Sequence, residues 1–72
     1  MTVDAVVRAW HRDEGWGVVD SPETPGGCWV HFSHVRVSGY RELLPGQAVP
    51  LDWEEFDQDG FHYRAVAVTP PA

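Results

Sequence analysis

Hydrophobic and polar residues alternate in five short stretches of this chain, each closed off by turn-forming residues. Period-two alternation puts successive side chains on opposite faces of a strand, so the pattern predicts β-structure almost throughout. The first strand is expected from Val3 to His11, and Arg12-Asp13-Glu14-Gly15 reads as a tight turn leading back antiparallel. The second runs from about Gly15 to Asp20, with Gly15, Gly17 and Val19 on one face and Trp16, Val18 and Asp20 on the other. Ser21 to Gly27 holds two prolines and two glycines and is a loop. Cys28 to Ser33 then separates into Cys28, Val30 and Phe32 on a core face and Trp29, His31 and Ser33 on an outward face.

From His34 to Gln47 the pattern is irregular, broken by Gly39, Pro45 and Gly46, with room for a short helical turn around Arg41–Leu44. Ala48 to Asp57 alternates again and buries Val49, Leu51 and Trp53, while Pro50 marks an edge or a bend. Asp59-Gly60 sits between two alternating runs, a strong hairpin signal. The last strand, Phe61 to Thr69, is expected to bury Val66 and Val68 before the Pro70-Pro71-Ala72 tail stops it. No stretch has sustained helical periodicity. Five short strands in 72 residues predict a small barrel or sandwich, because an open sheet of that size exposes both edges.

Length and composition sharpen this. A chain of 72 residues makes one domain, and a domain so small buries only about 60% of its unfolded surface. Large aromatic residues placed on the outside therefore cost stability, so the outward Trp16, Trp29 and His31 ask for a functional reason. Flat rings on the wet face of a sheet make a platform for stacking flat ligands. Charge points the other way, with 5 basic residues, all arginine, against 11 acidic ones and a net charge of −6. A binder of duplex phosphates normally carries the opposite sign. Cys28 is the single cysteine, which excludes an intrachain disulfide. No apolar run approaches the roughly 18 residues of a membrane span and no signal-peptide pattern opens the chain, so a cytoplasmic protein with no membrane partner is expected.

Two motifs carry a resemblance. Glu14-Gly15-Trp16-Gly17-Val18-Val19 resembles the first ribonucleoprotein motif of the bacterial cold-shock proteins, which reads Lys-Gly-Phe-Gly-Phe-Ile in that family. Val30-His31-Phe32-Ser33, preceded by an aromatic residue, resembles their second motif, Val-Phe-Val-His-Phe-Ser. Order and spacing agree as well, from Val7-Arg8-Ala9-Trp10 through Gly39-Tyr40 and Pro45-Gly46-Gln47-Ala48-Val49 to Ala65-Val66-Ala67-Val68. The likeness implies one cold-shock-like domain over 1–72, with its core at about 3–69, folded as an all-β, five-stranded antiparallel OB-fold barrel. It further implies a monomeric RNA chaperone or regulator of expression that binds single-stranded RNA or DNA by stacking. The positions carried over are Trp16, Trp29, His31 and Phe32, flanked by Trp10 and Tyr40, with Arg8 and Arg12 as candidate phosphate contacts.

Departures from the family pattern bear on strength. Its lysine is Glu14 here, two of its platform aromatics are Ala9 and Val18, and its asparagine is His11. Stacking is worth about 1–3 kcal/mol per base, so the loss of two rings costs about 2–6 kcal/mol and weaker binding is expected. Two rival classes remain. A protein-interaction barrel that has given up nucleic acid fits the acidic charge. An enzyme or metal site built on Cys28, His31, His34 and His62 lacks paired ligand spacing, and a core-facing Cys28 is a poor nucleophile. No catalytic residue, cofactor, metal or small-molecule substrate is therefore expected.

Overall fold

In the computed structural model, which describes residues 2–36, 43–58 and 60–69, the alternating stretches form five strands. They are β1 (Thr2–His11), β2 (Trp16–Asp20), β3 (Cys28–His31), β4 (Ala48–Gln58) and β5 (Phe61–Val68). Together they make a closed barrel in the order β1-β2-β3-β5-β4. Neighbours run antiparallel except β3 and β5, which are parallel. The expectation of a purely antiparallel barrel is corrected here, and the reason is arithmetic. An odd number of strands in a ring cannot alternate direction all the way round.

The interior is filled mainly by small branched residues: Val7, Val19, Val30, Val35, Val49 and Val68, with Leu43, Leu51 and Cys28. Trp53 and Tyr63 pack against this core, their rings meeting edge to face with centroids 5.3 Å apart. Pro50 pairs with Asp4 of β1, and just past the last β4–β5 pair, Leu51↔Val68, its carbonyl accepts the Thr69 N–H at 3.4 Å, while proline has no N–H to return the bond. Gln58 pairs with Phe61 across the expected two-residue hairpin turn; Asp59 itself, and Arg41 and Glu42 of the anticipated helical turn, lie outside the described residues.

Two of the three register shifts among the described strands redirect side chains that strict alternation misplaces. In β1, Val7 pairs with Val19 but Ala9 with Val18, so Arg8 is an extra residue and parity flips after it. Trp10 thereby turns inward over Gly17 while His11 turns outward. A Cβ on Gly17 would lie 2.5 Å from the Ala9 carbonyl oxygen and inside the Trp10 ring, so only glycine admits this packing. In β5, Ala67 pairs with Asp52 and Ala65 with Trp53. Val66 is the extra residue and is 43% exposed; Ala65 takes the core position expected of it.

The loop 21–27 folds tightly onto the barrel. Ser21 and Thr24 hydroxyls bond at 2.7 Å, and Gly27 N–H donates to the Thr24 carbonyl at 3.0 Å. Thr24 is 1% exposed. Gly27, at φ +103°, comes so close to β2 that a Cβ there would sit 2.8 Å from Val18 Cγ1. Gly26 has a similar φ of +92° but faces open space. Among the described residues no helix is long and apolar enough to cross a membrane.

Both glycines carry backbone strain for any other residue, and only Gly27 adds a clash. Gly27→Ala is therefore expected to lower stability by more than the roughly 1–3 kcal/mol of left-handed strain, and by more than Gly26→Ala. Urea denaturation of the two variants measures the difference.

Candidate nucleic-acid interface

Pairing across the barrel sorts the outward side chains into rows. One row reads His11, Trp16, His31, from the pairs His11↔Trp16 and Trp16↔His31. The next reads Ala9, Val18, Trp29, Arg64, Glu54, from four successive cross-strand pairs. Ring positions on adjoining rows are diagonal neighbours, close enough for aromatic side chains to touch.

The rings do touch. His11 and Trp16 have centroids 4.2 Å apart, Trp16 and Trp29 6.5 Å at an interplanar angle of 24°, and Trp29 and His31 5.8 Å. Phe32 continues the series 4.6 Å from His31, and His34 meets His31 edge to face at 6.2 Å. Alternation assigns Phe32 to the core. It is 44% exposed because β3 ends at His31 and Phe32–His34 form a 3-10 turn, closed by Val35 N–H donating to the Phe32 carbonyl at 3.1 Å. Phe32 N–H is held by the Gly15 carbonyl at 2.9 Å, which anchors the turn beside Trp16.

Hydrogen bonds at the periphery fix individual rings. Trp16 Nε1 donates to Glu14 Oε2 at 2.9 Å, so the residue standing where the family has lysine tethers the indole. Ser33 N–H donates to His31 Nδ1 at 3.3 Å, and the Ser33 hydroxyl lies 2.8 Å from the same nitrogen. With Nδ1 accepting, the neutral ring carries its proton on Nε2 as a donor. Trp29 Nε1 and His34 Nδ1 are buried without a hydrogen-bond partner among the described residues, a cost of about 1–3 kcal/mol each.

Cations near the rings are offset by carboxylates. Arg8 reaches Asp20 through Nε at 2.9 Å and also through Nη2, a bidentate pair. Arg64 donates from Nε to Glu54 Oε1 at 2.6 Å, and its guanidinium carbon lies 3.7 Å above the centre of the Phe56 ring.

Of the anticipated site residues, Trp16, Trp29, His31 and Phe32 come together on one surface. Trp10 packs toward the core over Gly17 instead of flanking them. Arg8 extends over Val18, beside Gly27. Arg12 lies in the β1–β2 turn, where it has an interaction partner, and Tyr40 lies outside the described residues. His11 and Arg64 belong to the surface and were missed. His11 needed the bulge at Arg8 to be seen, and Arg64 needed the parallel β3–β5 pairing; neither leaves a local mark in the sequence. Among the described residues, no three of the His, Cys, Asp and Glu side chains converge to hold a metal ion.

Burial pushes the Cys28 thiol up to about 12. It is expected not to react with a disulfide reagent near pH 8 in the native protein and to react fully once the chain is unfolded, as thiol titration in and out of urea would show. His34 is lowered from its ordinary value, first by burial and then by the charges of His31, Arg64 and Arg36, against an opposing effect of Glu54. The unfolded chain then takes up this proton more readily, so stability is retained above about pH 6.5 and falls as the pH drops below it. His34→Gln is expected to reduce the fall in urea midpoint between about pH 7 and pH 5.

No protein-family model matches the chain. Individual relatives do. The major cold shock protein CspA of Bacillus cereus is 31% identical over 55 residues, covering 76% of this chain and 81% of its own. Cold shock protein ScoF of Streptomyces coelicolor is 33% identical over 46 residues, with 64% and 69% covered. A cold shock-like protein of Aquifex aeolicus is 29% identical over 52 residues, with 72% and 74% covered. With identities near one third across most of both sequences, on a closed five-stranded barrel, this chain belongs to the cold-shock protein family.

Proposed function

We propose that this cold-shock barrel binds single-stranded RNA or DNA by stacking bases on Trp16, Trp29, His31 and Phe32, with His11 extending the surface. The observation that carries this reading is the unbroken run of rings from His11 to Phe32 on two adjoining rows, each within 4.2–6.5 Å of the next. Every base has a π-face, so such a run accepts a strand with little regard to sequence. The protein acts without catalysis, as a monomeric cytoplasmic RNA chaperone or regulator of expression.

Two features of the surface support binding weaker than is typical of the family. Ala9 offers no ring, and Val18 is 4% exposed beneath Gly27 and the Arg8 guanidinium, so the second row has a single platform at Trp29. The arginines beside it are paired with acids, which leaves few cations to displace counterions.

Titration with oligo-dT and oligo-U at low salt, followed by tryptophan fluorescence, tests the reading. Quenching is expected, and Trp16→Ala is expected to weaken binding by about 1–3 kcal/mol, roughly 5- to 150-fold, with the fold retained by circular dichroism. An absence of quenching by the folded wild-type protein would overturn the reading in favour of a protein-interaction barrel.

A further inference from the structure

The aromatic rows are bordered by two arginines placed on opposite sides of Trp29. Arg64 is its direct partner across the parallel β3–β5 pairing. On the other side Val18 pairs with Trp29, and the Arg8 guanidinium extends beside it: a Cβ built on Gly27 would meet both Val18 Cγ1 and Arg8 Nη2. Each arginine is engaged by a carboxylate of the same surface, Asp20 from β2 and Glu54 from β4. A base stacked on Trp29 would therefore have a guanidinium on either side.

We propose, on the footing of the stacking reading, that Arg8 and Arg64 are the phosphate-contacting residues of this interface, and that Asp20, in the position a phosphate would take, and Glu54, beside such a position, set its affinity. Two parallel N–H donors from one guanidinium suit a phosphate as well as they suit a carboxylate. Arg8 presents that fork to Asp20, and both side chains are 46% exposed, so one anion can replace the other without opening the core. Arg64 is engaged only through Nε among the described residues. Among the described residues its terminal nitrogens meet no acceptor, while the Phe56 ring beneath holds the guanidinium in place. Arg8 must therefore exchange its partner, whereas Arg64 can accept a phosphate beside Glu54.

Both carboxylates oppose an incoming phosphate, and removing Asp20 changes two quantities at once. Exposed ion pairs contribute little to stability, so Asp20→Asn and Glu54→Gln are expected to fold as wild type does. Each should tighten oligo-dT binding several-fold near 50 mM NaCl. Asp20→Asn should also steepen the slope of log affinity against log salt, between about 50 and 200 mM, by up to about 0.7, the value of one phosphate contact on a single strand, whereas Glu54→Gln should leave the slope alone because Arg64 already takes a phosphate beside it. Asp4→Asn makes the same change in net charge near Asp20 without removing the carboxylate bonded to either arginine, and should leave the slope alone. Arg64→Gln should flatten the slope by about 0.7 while fluorescence quenching at saturation persists.

Binding by the wild-type protein with the same slope in all variants would overturn the inference and leave stacking intact. Equal effects of Asp4→Asn and Asp20→Asn would also overturn it, because net charge and not the local pair would then govern affinity. No quenching by any folded variant would remove the stacking reading and the inference together.

Discussion

Five strands closed into a ring must include a pair that runs the same way, and in this barrel β3 and β5 meet that requirement. Their contact is narrow: the Trp29↔Arg64 pair, extended at the end of the strand by the Val35↔Val68 bridge. Closure at this seam brings valines from both ends of the chain into one core and joins the five strands into a ring. It also decides what stands beside Trp29 on the outside. Had the sheet stayed open, Arg64, Glu54 and Phe56 would belong to an unrelated surface.

Much of this was legible in the sequence because β-structure writes its two faces into alternation. Trp16, Trp29 and His31 separate cleanly from Gly17, Val19, Cys28 and Val30, and the loop at 21–27 announces itself through proline and glycine. Alternation fails where the chain inserts a residue or leaves the strand. Arg8 and Val66 look like ordinary members of their strands, yet each is an extra residue that reverses the parity around it. Phe32 follows the core pattern on paper, but its strand has ended one residue earlier. Arg64 is separated from Trp29 by half the chain, and no local pattern reports a parallel pairing at that distance.

Net charge misdescribes this surface for a similar reason: it sums over the molecule what acts locally. The chain has a formal charge of −6, yet the aromatic rows are bordered by arginines as well as acids. What matters to an approaching strand is whether each guanidinium is already engaged, and by how many of its nitrogens. The loop at 21–27 adds a steric counterpart. By pressing Gly27 onto Val18 it fills the place where the resembling family carries a ring. A larger side chain at Val18 would have to displace that loop before it could offer a stacking face.

The tether between Glu14 and the Trp16 indole has a thermodynamic side. A surface tryptophan free to rotate loses side-chain entropy when a ligand fixes it, at about 0.5–1.5 kcal/mol for each immobilised group. Here the indole is bonded to a carboxylate at 2.9 Å and braced by His11, and the His31 imidazole is bonded through Ser33 and braced by Phe32. That ordering is completed during folding, so little of it is left to oppose a ligand. The residue that looks most hostile to an anionic strand thus stiffens the ring on which its base would rest.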